Sequence, residues 1–452
     1  MSRVKTRKTK ILSGVSALAL YALCVPFGAH AETIEQTLIS ALTHHPQVES
    51  AQAALRTAEQ SQKEQYSAYF PEIDVNATGG RIFGNNSTSR GLSVTRGEGY
   101  SHLWEGSVAA RQLIFDGLET KNRVSAARAE TKAAHHSLQD TRENLAFRTT
   151  QTFVNLLRVQ RGLGLLRGQE KTVKDYLDRI TSMVEDGAAD EAELQQATDV
   201  SVILDNFIAD YEGQLQTLES DYVELTGHLP ENELEQPTIA LDQIPQDVNE
   251  AIEIAKSTHP LLRAAKMQSN SAMFDMEAER STFAPKFDGE LSYLKRDQDD
   301  IIGGELEDGK AVVRMNWGFE TGGGQKARIK QRKFEHKQAL ARIAEVERQV
   351  ERSVRQAYAE LYTASKQHEN QRRRHELNKK LLETYEVQFE GALISVLQLM
   401  QADNQVLITK LESSNAQMRV LAAQYGVLAA MGQLQKSMNL EIASSHPARD
   451  EH

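Results

Sequence analysis

Two long runs without glycine or proline constrain this chain more than any other feature. Gln325 to Glu390 contains neither residue over 66 positions, and Leu118 to Arg161 is a second clean run. Both are rich in Ala, Glu, Gln, Arg, Lys and Leu, the residues that lose least on entering a helix. As one helix the longer run would reach about 99 Å, at ~1.5 Å per residue. Its apolar residues are sparse and often small. Ala339, Ile343, Val346, Val350, Val354, Ala357 and Leu361 follow one another at spacings of 4, 3, 4, 4, 3 and 4. That rhythm is one helical face packed on neighbours at coiled-coil spacing. Helices this long exceed globular norms and predict a rod.

The chain also repeats itself. Thr43 to Asp74 and Ser257 to Asp288 share a pattern: His-Pro, a stretch without Gly or Pro, then a second proline before an acidic residue. Pro46 to Pro71 and Pro260 to Pro285 are both 25 residues apart. At an offset of 205, "LIFDGLETKNRVSAAR" aligns with "GFETGGGQKARIKQR", Phe153 falls on Tyr358, Gly187 falls near Gly391, and Gly227 falls on Gly432. Each half reads as helix, strand, strand, long helix, turn, long helix. The predicted organisation is a signal peptide at 1–31, a first repeat at 32–227, and a linker at 228–250 that holds three prolines. A second repeat at 251–434 and a polar tail at 435–452 complete it.

The leader has a basic start (Arg3, Lys5, Arg7, Lys8, Lys10), an apolar stretch from Ile11 to Val25, and an Ala29-His30-Ala31 cleavage pattern. The one cysteine of the chain, Cys24, lies inside it. Residues 32–452 therefore offer no disulfide, thiolate ligand or thiol nucleophile. Without the five leader cations the charge moves from −11 to −16, which is 47 basic against 63 acidic residues. That balance argues against a nucleic-acid partner. Beyond the leader no stretch approaches 18 apolar residues, so contact with a membrane core must come from strands.

Strand signals occur after the second proline of each copy. "FDGELSYLKR" alternates Phe287, Gly289, Leu291 and Tyr293 with Asp288, Glu290 and Ser292. "KAVVRMNWGF" alternates Ala311, Val313, Met315, Trp317 and Phe319 with Arg314, Asn316 and Gly318. This predicts a hairpin near 287–319 with one apolar and one polar face. In the first copy Ile73, Val75 and Ala77 alternate with Asp74, Asn76 and Thr78, and a return strand is expected near Gly106–Phe115. Four such strands cannot close a barrel, and an open edge in lipid leaves costly unpaired backbone groups. Three chains supply twelve strands, an even number that closes.

These features together resemble the TolC family of outer-membrane efflux and secretion channels. The resemblance rests on the duplicated halves, on Pro71 and Pro285 at the helix–strand junctions, and on "LIFDGLETKNRVSAARAE" after the first hairpin. It rests also on "FEGALISVLQLMQADNQVLITKLESSNAQMRVLAAQYGVLAAMGQL" near the end. It implies a mainly α protomer with four strands, assembled as a homotrimer. A twelve-stranded β-barrel in outer-membrane lipid would continue into an α-helical periplasmic barrel. It also implies two partners, a periplasmic adaptor (membrane fusion) protein and an inner-membrane transporter. "RGEGYSHLWEGSVAARQLIFDGLETKNRV" resembles the branch that serves type I protein secretion, which predicts an ABC transporter and an exported protein cargo. Drug or metal efflux with an RND-type pump is the alternative. A periplasmic adaptor or other structural coiled-coil protein is more remote, because the helices here are duplicated around two amphipathic hairpins.

By the same resemblance, Gly187, Ala188, Gly391, Ala392 and Leu393 are the helix-turn tips where an adaptor docks. The acidic pair that closes the tunnel in relatives aligns with Gln398 and Gln401, an amide ring without carboxylate charge. Asp403 points elsewhere on that helix. "TGGGQKAR" lacks the G-K-[ST] of a phosphate loop. His44-His45 and His135-His136 are adjacent pairs, which do not share a helix face. No Ser/His/Asp or paired-carboxylate arrangement supports catalysis, and no cofactor is expected.

Overall fold

The computed structural model describes residues 31–84, 99–231, 233–238, 243–298, 305–391 and 393–440. The expected leader, except Ala31, lies outside the described residues, as do the centres of both hairpin loops and most of the tail. In the first repeat α1 (Ile34–His44) and α2 (Pro46–Ser67) precede strands β1 (Glu72–Gly84) and β2 (Gly99–Phe115). Helices α3 (Glu119–Glu185) and α4 (Glu191–Thr226) follow. The second repeat gives α5 (Val248–Thr258), α6 (Pro260–Ser281), β3 (Lys286–Gln298), β4 (Leu306–Asn316), α7 (Gly324–Glu390) and α8 (Val396–Ala430). A short α9 (Leu434–Ser437) follows them.

The His-Pro pairs break what the sequence reads as one leading helix into two. His45 and His259 are N-caps, and Pro46 and Pro260 open the next helix. Each imidazole Nδ1 accepts a backbone N–H two residues on, from Gln47 at 3.1 Å and Leu261 at 3.3 Å. Proline at the first helical position forfeits only an N–H that would be unpaired there.

Helices α3 and α7 each contain 67 residues, about 100 Å at ~1.5 Å per residue. Helix α3 continues beyond the clean run, through Gly162, Gly164 and Gly168. A side chain at Gly162 would collide with the Tyr211 ring of α4, so this glycine lets two helices approach closely. Near the sheet α3 packs against α2 and α6, and α7 against α5 and α6. Farther away α3 packs against α4 and α8, and α8 against α7. One core joins α1, α3, α4 and α8 around Phe153, Tyr222 and Leu428. A second joins α5, α6 and α7 around Val346, Val350 and Val354. A third joins α3, α4 and α8 near the turns.

A buried carboxylate ties the segment just before α1 to α4 and the linker. Glu32 accepts hydrogen bonds from the Tyr222 hydroxyl, from Thr37 Oγ1 at 3.2 Å and from the Glu231 backbone at 3.1 Å. Burial and this acid push the Tyr222 phenol well above its ordinary range.

The four strands form one antiparallel sheet in the order β1-β2-β3-β4. Val75 stands beside Val108, and Val108 beside Tyr293. The two hairpins therefore zip together, and β1 and β4 are left as the outer edges. Three boundaries differ from the sequence reading. Strand β2 starts at Gly99 rather than near Gly106. Strand β4 stops at Asn316, so Trp317–Phe319 lie beyond it. The tail begins packed: α9 runs across the 434/435 boundary and Leu440 is buried.

Candidate functional site

The sheet is inside out for a water-soluble protein. Its apolar row is the bare one: Ile73 is 65% exposed, Leu291 63% and Val313 68%, while Asp288 is 9% exposed. The rows follow from the pairing. Ile73, Ala110, Leu291 and Ala311 lie side by side on one face, and Glu290 lies beside Arg111 and Val312 on the other. The polar face carries cross-strand ion pairs, Arg314–Glu290 at 2.7 Å and Arg296–Glu105 at 2.6 Å. An apolar band turned outward and a charged face turned inward is the arrangement of a strand between lipid and a wet lumen.

Where helices meet strands there is a belt of exposed aromatic rings. Tyr66, Tyr69 and Phe70 cluster edge to face. Trp317 stacks near Phe319 and donates its indole N–H to the Phe283 carbonyl at 3.1 Å. Rings with an apolar body and a polar handle suit a membrane–water boundary. The sequence reading missed this belt and placed Trp317 and Phe319 on a strand; the clusters "YSAYF" and "NWGF" were the available signal. Pro71 and Pro285 immediately precede β1 and β3.

The far end of the rod holds both turns. Gly187 adopts φ +71°, which a glycine takes without a steric penalty. The Ala188 backbone N–H closes the turn onto the Met183 carbonyl at 2.7 Å. Asp190 then caps α4, accepting from the Ala192 N–H at 3.3 Å. Gly391 has φ −78° and ends α7 without the left-handed conformation. Leu393, 77% exposed, has its N–H bonded to the Gln388 carbonyl at 2.9 Å. Ala392 lies outside the described residues. The two turns come together around a groove lined by Met183, Gly187, Ala188, Asp190, Phe389 and Ile394.

Gln398 and Gln401 are both exposed near the start of α8. Gln398 has a local duty that the sequence reading did not include: it completes a capping box. Its side-chain oxygen accepts the Ser395 N–H at 3.1 Å, and Ser395 Oγ accepts the Gln398 N–H at 3.3 Å. Asp403 does face elsewhere, accepting from Gln169 of α3 at 2.6 Å. Burial raises its pKa and this hydrogen bond opposes the rise. Among the described residues no three His, Cys, Asp or Glu side chains converge as metal ligands would.

The model of the outer membrane efflux protein family matches residues 38–228 and 251–433, one stretch in each repeat. A curated relative, the outer membrane efflux protein BepC of Brucella suis biovar 1 (strain 1330), is 23% identical over 442 residues, spanning 94% of this chain and 90% of BepC. Among solved structures, a membrane protein from Pseudomonas aeruginosa superposes with a TM-score of 0.76 at 17% identity, over 88% of this chain and 90% of that one. The CmeC outer membrane channel of Campylobacter jejuni gives a TM-score of 0.75 at 15% identity, over 89% of this chain and 86% of CmeC. At those identities the structural likeness is one of fold.

Proposed function

The chain belongs to the outer membrane efflux protein family, and from that premise we propose that it is the outer-membrane exit duct of a tripartite efflux assembly. The observation that carries the reading is the sheet with a bare apolar face and two open edges, β1 and β4. Each unpaired backbone group left in lipid costs several kcal/mol, of the order ~4–8 on a scale without hydrogen-bond partners. Three copies joined edge to edge close twelve strands, and the same symmetry gathers the long helices into a tunnel on the periplasmic side. The chain does no chemistry. Energy comes from an inner-membrane transporter, linked through a periplasmic adaptor that docks at the Gly187 and Gly391 turns.

The cargo reading moves from protein secretion to efflux. Of the 96–124 stretch that suggested type I secretion, Arg96-Gly97-Glu98 lie outside the described residues, while Gly99–Phe115 form β2 and Asp116-Gly117 lead into α3. The curated relative is an efflux protein. An RND-type pump is the corresponding partner. Disrupting the gene should lower resistance to several unrelated toxic compounds or metals and leave the secreted proteins unchanged. Loss of one large secreted protein with unaltered susceptibility would overturn the efflux reading.

Gln401, exposed and free of a capping duty, is the better constriction residue of the pair. Gln401→Ala should raise single-channel conductance in planar bilayers. Equal conductance in Gln401→Ala and the parent channel would remove the residue from the constriction.

A further inference from the structure

A cleft of about 670 Å³ opens where the two repeats meet, between α2, α3, the start of α6 and the α9 segment. It lies away from the tips and the sheet. Arg56 of α2, Arg142 and His135 of α3, Arg263 of α6 and Lys436 of α9 line it. Elsewhere in this acidic chain the cations are commonly paired: Arg328 with Glu279 and Glu320, Arg355 with Glu351, Arg374 with Glu412. Here they are not. Arg142 Nε is buried without a hydrogen-bond partner. Arg263 commits Nε to the Ser257 carbonyl at 3.1 Å and leaves the rest of its fork unused. Arg56 and Lys436 make no ion pair among the described residues.

The two acids of the cleft do not balance them. Glu143 is occupied by the backbone N–H groups of Leu434 at 3.1 Å and Gln435 at 3.3 Å. Burial raises its pKa to about 7, so near neutral pH it carries only part of a charge. Glu59 remains as the free carboxylate. The ring of His135 is held below its ordinary pKa by burial, with His136 and Arg142 adding to the effect. The surroundings are electropositive.

We propose that this cleft binds an oxyanion, a phosphate or carboxylate group of two or more negative charges, gripped by Arg142, Arg263 and Lys436. Unused guanidinium forks present parallel N–H donors that match such groups, and a partly dry wall strengthens each bond. A bound anion would join α3 of the first repeat to α6 of the second and to α9. The proposal does not depend on the efflux reading.

The test uses the full-length channel purified in detergent, titrated calorimetrically with inorganic phosphate and, separately, with citrate. Ionic strength is held constant with chloride. The expected result is saturable binding of one anion per chain, weakened at least tenfold by Arg263→Gln and by Lys436→Gln. Glu59→Gln should tighten binding, a gain that misfolding cannot mimic. Preference for phosphate over citrate would identify a phosphate-bearing ligand, and the reverse a carboxylate-bearing one. Absence of saturable binding for both anions, or binding that none of these substitutions alters, would overturn the proposal.

Discussion

Helices α3 and α7 occupy equivalent places in the two repeats and have the same length, yet they are buried very differently. Helix α3 buries 21 of its 67 residues, and α7 buries five. Helix α7 instead bares Phe334, Leu340, Tyr362, Leu377, Leu381 and Val387, while α3 shows no exposed large hydrophobic residue. A soluble protein does not ordinarily leave an apolar line along a rod in water. The difference teaches that the first copy is covered by its own chain, and in the proposed assembly the bare line of the second is covered by another. Helix α3 sits among α2, α4, α6 and α8, whereas α7 lies at the edge, like β4 before it.

Charging the line on α7 should give the largest effect. Leu377→Glu with Leu381→Glu is expected to abolish assembly, so the native mass falls to that of one chain while the helical circular dichroism persists. The paired positions Phe153 and Tyr358 sharpen the contrast. Phe153 is completely buried, and Phe153→Ala should cost about 3–5 kcal/mol of unfolding free energy in denaturant titration. Tyr358 is half-buried and donates its hydroxyl to the Pro245 carbonyl at 2.6 Å. Tyr358→Ala should cost less, about 1–3 kcal/mol.

Glu143 and its counterpart on α7 separate the repeats by pH. Arg348 stands at the matching place and is exposed. Burial lifts the Glu143 pKa from 4.5 to about 7, outweighing its hydrogen bonds from Leu434 and Gln435. The folded state therefore holds this proton more tightly than the unfolded chain. Its contribution is fully present below pH 4.5 and is lost as the pH rises through 7. Glu143→Gln should remove on the order of 2–3 kcal/mol of pH dependence across that window in unfolding measurements. Arg348→Gln should leave the profile unchanged.

The smallest expected effect lies at the start of the long helices. Leu118 has φ +74° and its counterpart Gly323 has φ +78°. A left-handed leucine costs roughly 1–2 kcal/mol. Leu118→Gly should therefore stabilise the protomer by about 1 kcal/mol, after the extra entropy of glycine is subtracted. Gly323→Leu should destabilise it by a similar amount.

The duplication, the rods, the hairpins and the junction prolines were legible because each is local: periodicity, proline position and glycine position. Boundaries failed where local signals were mixed. "GYSHLWEG" carries Tyr100, His102 and Trp104 in alternation with small and polar residues, a faint strand pattern, and pairing with β1 is what extends β2 to Gly99. Trp317 and Phe319 fit the alternation of β4, but the chain leaves the sheet after Asn316. The capping role of Gln398 was readable from Ser395-x-x-Gln398. The unequal burial of α3 and α7 was not, because both helices are polar and regular, and which face is covered depends on elements far away in sequence. The Glu32–Tyr222 contact and the cation-lined cleft likewise join residues from distant segments.

The most direct test of the account is whether β4 of one chain meets β1 of the next. Residues 32–452 contain no cysteine, so introduced pairs report without background. Cysteines at Ile73 or Val75 of β1, combined with cysteines at Val313 or Met315 of β4, would be bridged by short bifunctional reagents in outer-membrane preparations. The account predicts covalent dimers and trimers, and no larger species, from double variants. Single variants should remain monomeric on denaturing gels. Cross-links formed only within one chain, closing four strands on themselves, would contradict it.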